Sequence, residues 1–412
     1  MTDIETAART RAMPGFAEFV AMMALLMALT ALSIDVMLPA LPLIRDEFDL
    51  TDPNRMQMVV TAYVVGFAAG QLLHGPLSDW LGRKPVLVVG LAVYAAASVG
   101  CLLAGSFEGL LAARVVQGLA NAAPRVIAIA VVRDAFGGRR MAEVMSFVML
   151  VFIIVPVLAP SVGGAFLLVG SWHLIFAFLA ATAIAALLWL GVRLPETRHA
   201  DAVGPMSLGW VARAYATAAT DRLTLGYTLA TGAVFSALMG YINSAQQVFV
   251  DVYRLGPWFP MVFGGCALAV AAASFFNGRA VERLGMRPIS HWALVGFVAA
   301  TLLHLVIDAS VGTPPLPVFV ALLAAALFCF GLIMPNFNAI AMEPMGRIAG
   351  TASSFVGATT TAIGAFGGFL IGRAFDGTTM PLVAGFAASG VACLAIVVVT
   401  ERGRLFHKQG RR

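Results

Sequence analysis

Gly75-Pro-Leu-Ser-Asp79-Trp-Leu-Gly82-Arg-Lys-Pro85 lies between two long apolar runs. It returns in degraded form as Gly278-Arg-Ala-Val-Glu282-Arg-Leu-Gly285-Met-Arg-Pro288. Gly75, Asp79, Leu81, Gly82, Lys84 and Pro85 are echoed by Gly278, Glu282, Leu284, Gly285, Arg287 and Pro288. The offset is a constant 203 residues in a chain of 412. A tight charged turn repeated once at half-length predicts two similar helical bundles that move against each other. On this reading Gly75, Asp79, Gly82, Arg83, Lys84, Glu282 and Arg287 form a conformational latch, not a binding site.

The flanking runs set the class. Sixty per cent of the residues are hydrophobic and 11% are charged, far more apolar surface than a water-soluble domain of this size can bury. The chain therefore reads as an all-α polytopic membrane protein. Twelve spans fall near 16–40, 56–76, 86–105, 109–132, 142–168, 173–193, 223–249, 257–278, 289–308, 317–341, 349–372 and 380–400. Each can cross a hydrocarbon core of about 30 Å with some tilt. The one break in hydrophobicity divides them into a six-helix bundle over 1–194, a linker over 195–222, a second six-helix bundle over 223–401 and a basic tail over 402–412.

The formal charge of +5 says less than its distribution, and it does not suggest nucleic-acid binding. Arg and Lys gather in alternate loops: Arg83 and Lys84; Arg133, Arg139 and Arg140; Arg193 to Arg222; Arg279 to Arg287; Arg347; Arg402 to Arg412. The bias of cationic loops toward the cytoplasm places both termini and the linker there. The expected setting is a bacterial inner membrane, with the lipid bilayer, protons and a small-molecule substrate as partners of a monomer. The first span contains Asp35 and no clear cleavage site, so it reads as a retained helix. Cys101, Cys266, Cys329 and Cys393 sit in different spans and read as apolar fillers, with no metal or disulfide expected.

Asp35 is the sharpest single residue, the one acid that the pattern places well inside a span. A carboxylate at such depth is expensive and persists mainly where it works. On the fourth span, Arg114, Gln117, Asn121 and Arg125 recur at offsets of 3, 7 and 11, which puts them on one helical face about 16 Å long. Lipid does not accept two arginines on one face, so the stripe should line a watery cavity or pack against protein. Asp35 and Arg114 form the candidate proton-coupling pair. Tyr63, Gln117, Asn121, Arg125, Asn243, Gln246, Asn336 and Asn338 are candidates for the substrate cavity. In the fifth span Pro156, Pro160, Gly163 and Gly164 read as a hinge, prolines kinking the helix and glycines admitting a neighbour. His304 reads as a packed residue. There is no phosphate-binding glycine loop, no H-E-x-x-H and no nucleophile elbow. The chain is therefore expected to be no enzyme, to hold no cofactor, and to draw energy from an ion gradient.

These residues resemble the major facilitator superfamily. Gly75 to Lys84 looks like its loop signature, Arg114-Val-Val-Gln-Gly118 its fourth-span signature, and Pro156 to Gly164 its antiporter signature. Ile34 to Pro42, Gly70 to Asp79, Val132-Arg-Asp134, Leu194-Pro-Glu-Thr197, Pro335 to Ala339 and Ala349 to Ser353 are similar to the bicyclomycin/chloramphenicol-resistance (Bcr/CflA) group of drug:proton antiporters. The resemblance implies alternating access and export of small, mostly apolar compounds such as phenicols or bicyclomycin. It implies Asp35 as the protonation site, Arg114 as its tuning cation, and Asp79 as stabiliser of one conformation. Trp80 and Met286 depart from the family's basic residues at the latch. A transporter of an endogenous metabolite or nutrient shares the fold and is the alternative. A membrane-embedded enzyme or receptor is the remote one.

Overall fold

The computed structural model describes residues 13–136, 138–198 and 208–406, and within them the chain is helical. In chain order the α-helices are α1 Phe16–Asp35, α2 Leu41–Glu47, α3 Met58–Leu81, α4 Arg83–Leu102, α5 Phe107–Ala135, α6 Gly138–Val169 and α7 His173–Arg193. They continue as α8 Leu208–Thr220, α9 Arg222–Gln246, α10 Phe259–Leu284, α11 Met286–Val311, α12 Leu316–Met342, α13 Ala349–Arg373 and α14 Met380–Thr400. Among the described residues, eleven helical stretches are long and apolar enough to cross a membrane. α6, with 32 residues and a described apolar part of Ile154–Val169, stands where the remaining span is expected. Helix starts carry ordinary chemical signals. Ser106 accepts from Gly109 N at 3.1 Å before α5, and Asp221 accepts from Thr224 N at 2.8 Å before α9. Both satisfy main-chain donors that a first helical turn leaves orphaned.

The repeated motif is not an eleven-residue turn. α3 continues through Gly75 and Pro76 to Leu81, and α4 begins at Arg83, so the break is Gly82 alone, at φ +103°. Its counterpart Gly285, at φ +88°, separates α10 from α11 in the same way. A single residue in this region of positive φ reverses the chain cheaply only without a Cβ. The periodicity of an apolar span cannot reveal that the span runs on into a charged segment.

The chain forms two compact units, Met1–Met37 with Ala62–Ala212, and Leu38–Thr61 with Arg213–Arg412. In the first, α4 packs on α5 and α7, and α1 on α5 and α6. In the second, α11 packs on α12 and α14, and α9 on α12 and α13. Helix for helix these are the same pairings, so the sequence repeat is also a packing repeat. The core of the first unit is built from Phe19, Met22, Met23, Leu26, Leu91, Tyr94, Ile127 and Val131. That of the second includes the aromatic group Tyr241, Phe249, Phe259, Phe263 and Phe319.

The segment Leu38–Thr61 belongs to the second unit although its sequence neighbours belong to the first. A ladder of amides holds it. Asp52 caps the short turn Pro53–Gln57 through Asn54 N at 2.9 Å. The Asn54 amide donates to the carbonyls of Arg373 and Phe375 at 3.0 and 2.9 Å, and accepts from Gln247 Nε2 at 2.8 Å. Gln57 donates in turn to Gln247 Oε1. Gly372 makes room, since a Cβ there would lie 1.9 Å from Gln57 Oε1. At this point α9 passes into a π-helical turn, Gln247–Val252, a local widening often found at functional positions.

Candidate functional site

In the first unit the polar stripe of α5 is brought against α1, α3 and α4. Arg114, Gln117 and Asn121 are completely buried. Arg114 Nη2 donates to the main-chain oxygen of Ser33 at 3.0 Å and Nη1 to Gln117 Oε1 at 2.6 Å. Its guanidinium also lies 4.6 Å from the centre of the Tyr63 ring. Because α1 ends at Asp35, the Ser33 carbonyl is among those with no intrahelical partner. A cation there meets both the orphaned acceptor and the negative end of the helix dipole.

Around this contact the network closes. Gln117 Nε2 donates to Ser98 Oγ at 2.7 Å. Ser33 Oγ donates to Leu29 O at 2.6 Å and lies 2.6 Å from the Tyr94 hydroxyl. Asn121 Nδ2 reaches Tyr63 Oη at 2.7 Å, and Ser33 Oγ and Leu29 O at 3.2 Å each. Gln117 is thus engaged at both ends of its amide within the helix wall, and it supports Arg114 instead of offering a free group to a cavity. Asn121 differs, because its Oδ1 is buried without a hydrogen-bond partner. Arg125 is half-buried, 5.6 Å from the centre of the Phe67 ring.

Asp35 is the last residue of α1, is 4% exposed, and has Oδ1 buried with no hydrogen-bond partner. It lies two residues beyond the carbonyl that Arg114 holds. No Asp35–Arg114 ion pair is formed among the described residues; Arg114 donates to a main-chain and an amide oxygen instead. The close approach of helices also falls elsewhere than expected. α6 runs unbroken through Pro156 and Pro160, with Gly163 in the same helix, and a Cβ at Gly164 would meet nothing within 4 Å. The tight crossing is α3 on α5, where a Cβ on Gly118 would sit 1.9 Å from Tyr63 O and one on Gly66 2.0 Å from Val115 O.

The latch residues assemble at the Gly82 end. Arg83 is 6% exposed and donates to Asp134 Oδ2 at 2.9 Å, to Ser78 Oγ at 2.8 Å and to the Asp79 carboxylate. Ser78 Oγ donates to Gly75 O at 2.9 Å. The Glu196 carboxylate caps α4, accepting from the main-chain N–H of Arg83 and Lys84 at 2.9 and 3.1 Å. Arg198 reaches Trp80 O at 2.5 Å and Asp79 O at 3.3 Å.

The second unit repeats the scheme with different chemistry. Arg287 donates to Glu401 Oε1 and Glu343 Oε2, each at 3.0 Å. Tyr227 donates to Glu401 at 2.6 Å and pairs with His291 Nε2 at 2.9 Å, while His291 Nδ1 accepts from Phe406 N at 3.0 Å. Burial would lift the Glu401 carboxyl, yet the Tyr227 hydroxyl and Arg287 hold it below the usual glutamate value. Sequence reasoning singled out Arg287 and passed over its partners Glu343 and Glu401, whose only signal is their position at span ends matching Asp134 and Glu196. The side chain of Glu282 lies outside the described residues.

The remaining cavity candidates lie in the second unit. Asn243 and Gln246 are buried on α9, each with its side-chain oxygen unpartnered. Asn336 spends its amide on Asn277 Oδ1 and Leu332 O, both at 2.7 Å, restoring polar contacts near Pro335. Asn338 is exposed.

Comparison with known proteins agrees with this geometry. The Major Facilitator Superfamily pattern matches residues 23–369. The chain is 30% identical over 354 residues to the uncharacterized MFS-type transporter YdgK of Bacillus subtilis, covering 85% of this chain and 87% of that one. It is 29% identical over 394 residues to a bicyclomycin resistance protein homolog of Haemophilus influenzae, covering 93% and 96%. Among solved structures it resembles the peptide transporter POT with a TM-score of 0.73 at 13% identity, covering 98% of each chain. It resembles the human organic anion transporter MFSD10 with a TM-score of 0.68 at 19% identity, covering 94% and 99%. With its repeated bundles, its paired glycine breaks and its buried fourth-span arginine, the chain belongs to the Major Facilitator Superfamily and is a multi-pass membrane transporter.

Proposed function

We propose that this protein is a proton-driven exporter of small, mostly apolar compounds, of the kind that relatives named for bicyclomycin, chloramphenicol and multidrug resistance suggest. It works in a bacterial inner membrane as a monomer, with both termini in the cytoplasm and no cofactor. The observation that carries the reading is Asp35, a buried carboxylate with a bare oxygen at the end of α1, two residues beyond the carbonyl that Arg114 holds. A buried polar oxygen without a partner is costly. A proton bound there, or water admitted by a change of conformation, relieves that cost, which ties occupancy of the site to conformation.

In the cycle, substrate enters from the cytoplasmic side while Asp35 has given up its proton. The carrier opens outward and releases substrate, and protonation of Asp35 from outside lets it return. One proton entering down about 100 mV gains ~2.3 kcal/mol. A gradient of one pH unit adds ~1.4 kcal/mol. Together they sustain a gradient of about several hundred-fold in a neutral substrate, so one working carboxylate suffices. The Arg114–Ser33 bond fixes the end of α1, so movement at Asp35 is felt by the α5 stripe and by Tyr63.

The test is transport into inverted membrane vesicles by Asp35→Asn. Loss of pH-gradient-driven uptake, with substrate binding retained, is expected. Wild-type gradient-driven uptake removes Asp35 from the mechanism. A drug-susceptibility panel of phenicols, bicyclomycin, sulfonamides and dyes in a pump-deleted bacterial host identifies the substrates, and sensitivity unchanged across the panel turns the reading toward an endogenous metabolite.

A further inference from the structure

The second unit holds a pair of buried titratable side chains that the cycle above leaves unused. His304 and Asp308 lie one helical turn apart on α11, 5% and 2% exposed. With Thr301, 2% exposed, they occupy one buried face, since positions three, four and seven apart share a side of a helix. This is the end of α11 far from Gly285. His304 is packed, as its place in an apolar span suggested, and Asp308 is enclosed with it although it lies near the span end.

Their surroundings are mostly neutral. The His304 ring meets Phe319 of α12 edge-on, with centroids 4.9 Å apart, and its Nε2 is buried with no hydrogen-bond partner. Asp308 Oδ2 accepts from Thr379 Oγ1, at the start of α14, at 2.6 Å. From the π-helical end of α9, Tyr253 packs on Phe319 with centroids 5.2 Å apart and gives its hydroxyl proton to Pro314 O at 2.9 Å. From the loop before α14, Asp376 adds negative charge toward Asp308; its Oδ1 already accepts from Thr378 N at 3.0 Å and Thr378 Oγ1 at 2.6 Å. The charged and titratable groups facing the pair are therefore Tyr253 and Asp376, with no Lys or Arg acting on either His304 or Asp308 among the described residues.

We propose that His304 and Asp308 form a second proton-binding site, separate from Asp35, in which a proton taken by the bare His304 nitrogen is balanced by the Asp308 carboxylate one turn away. The chemistry is simple: the Nε2 lone pair receives a proton, the imidazole becomes cationic, and the neighbouring carboxylate supplies the countercharge that burial would otherwise deny it. Thr379 holds the carboxylate in place. On the exporter reading this end of α11 faces the outside, so the site senses external pH and biases the second unit. Its use depends on that reading; its existence as a proton site does not.

The experiment is a pH titration of the full-length protein in detergent, with isotopically labelled histidine followed by NMR. The chain has six histidines; the His304 ring signal is identified by its loss in His304→Gln, or in His304→Asn should the first variant not fold. A His304 titration that moves toward acid by about one pH unit or more in Asp308→Asn is expected from loss of the countercharge. A signal constant from pH 5 to 9, or a midpoint unmoved in Asp308→Asn, overturns the proposal. The titration needs no substrate, so it stands or falls independently of the Asp35→Asn transport result. In vesicles, His304→Gln should keep gradient-driven transport and lose its dependence on pH at the face to which α11 is assigned; an unaltered pH profile counts against the site.

Discussion

Replacing Gly118 by Ala tests the packing of the candidate site more directly than removal of any polar group. A Cβ at this position would lie 1.9 Å from Tyr63 O, 2.8 Å from Tyr63 C and 2.9 Å from Phe67 N. All three are main-chain atoms, so no side chain can swing away. Ordinary contact begins near 3.4 Å, so α3 and α5 must part by about 1.5 Å at their crossing. Overpacking of this kind costs about 1–3 kcal/mol, and here the upper half of that range applies because backbone is struck. The better helix propensity of Ala returns about 1 kcal/mol. The displacement also draws Tyr63 away from Asn121, whose 2.7 Å bond is worth about 1 kcal/mol. The net loss is about 2 kcal/mol, which for a bundle of this size corresponds to about 4–8 °C in Tm on the scale of soluble domains. Gly164→Ala is the control, since a Cβ there meets nothing within 4 Å; it should leave Tm unchanged or raise it slightly. Thermal unfolding in a fixed detergent, followed by tryptophan fluorescence, measures both. Equal Tm values for Gly118→Ala and wild type refute the claimed contact, and a large fall for Gly164→Ala restores the hinge that the sequence suggested.

Other outcomes follow from the same structure. Arg114→Lys replaces a two-pronged donor to Ser33 O and Gln117 Oε1 by a single ammonium, and should lower stability by about 2 kcal/mol while quenching transport; full activity at wild-type Tm would remove the fork from its assigned place. Glu401, held low in the folded protein, stabilises it above the carboxyl's unfolded value and loses that contribution as pH falls through the folded one. The Tm gap between wild type and Glu401→Gln should therefore be full above about pH 5 and shrink steadily as pH falls below the unfolded carboxyl's range, and a gap that widens in acid reverses the assignment. Gln247→Ala strands the amides of Gln57 and Asn54 at a cost of about 2 kcal/mol. Hydrogen–deuterium exchange across Leu38–Thr61 should rise at least about tenfold, and unchanged protection would count against the ladder.

Much of this was open to reading in the chain. Gly82 and Gly285 stood out because the charged motif that holds them recurs at half-length, but only the folded chain shows each of them making the reversal alone. Asp35 and the Arg114–Gln117–Asn121 face were visible because polar groups in an apolar span are rare and helical spacing collects them. What Arg114 binds was not visible. Its acceptor is a main-chain carbonyl, and carbonyls have no sequence signature. Nor could a list of glycines distinguish Gly118, pressed against Tyr63, from Gly164, which faces open space. That difference is made by the neighbouring helix, not by the residue. Glu343 and Glu401 looked like ordinary solvated ends until folding brought Arg287 between them.

The packing of Leu38–Thr61 with the second unit bears on how such a protein can be cut and recombined. By sequence order, a chimera joined within residues 195–222 exchanges whole bundles between relatives. In this protein it would also deliver one parent's Asn54 and Gln57 to the other parent's Gln247 and Gly372. An incompatible pair there could cripple a hybrid whose helices are all sound. Recombination designed on the three-dimensional division would move 38–61 together with 213–412, and a reporter dye placed at the exposed Thr51 would follow the second unit despite its address in the first half of the chain.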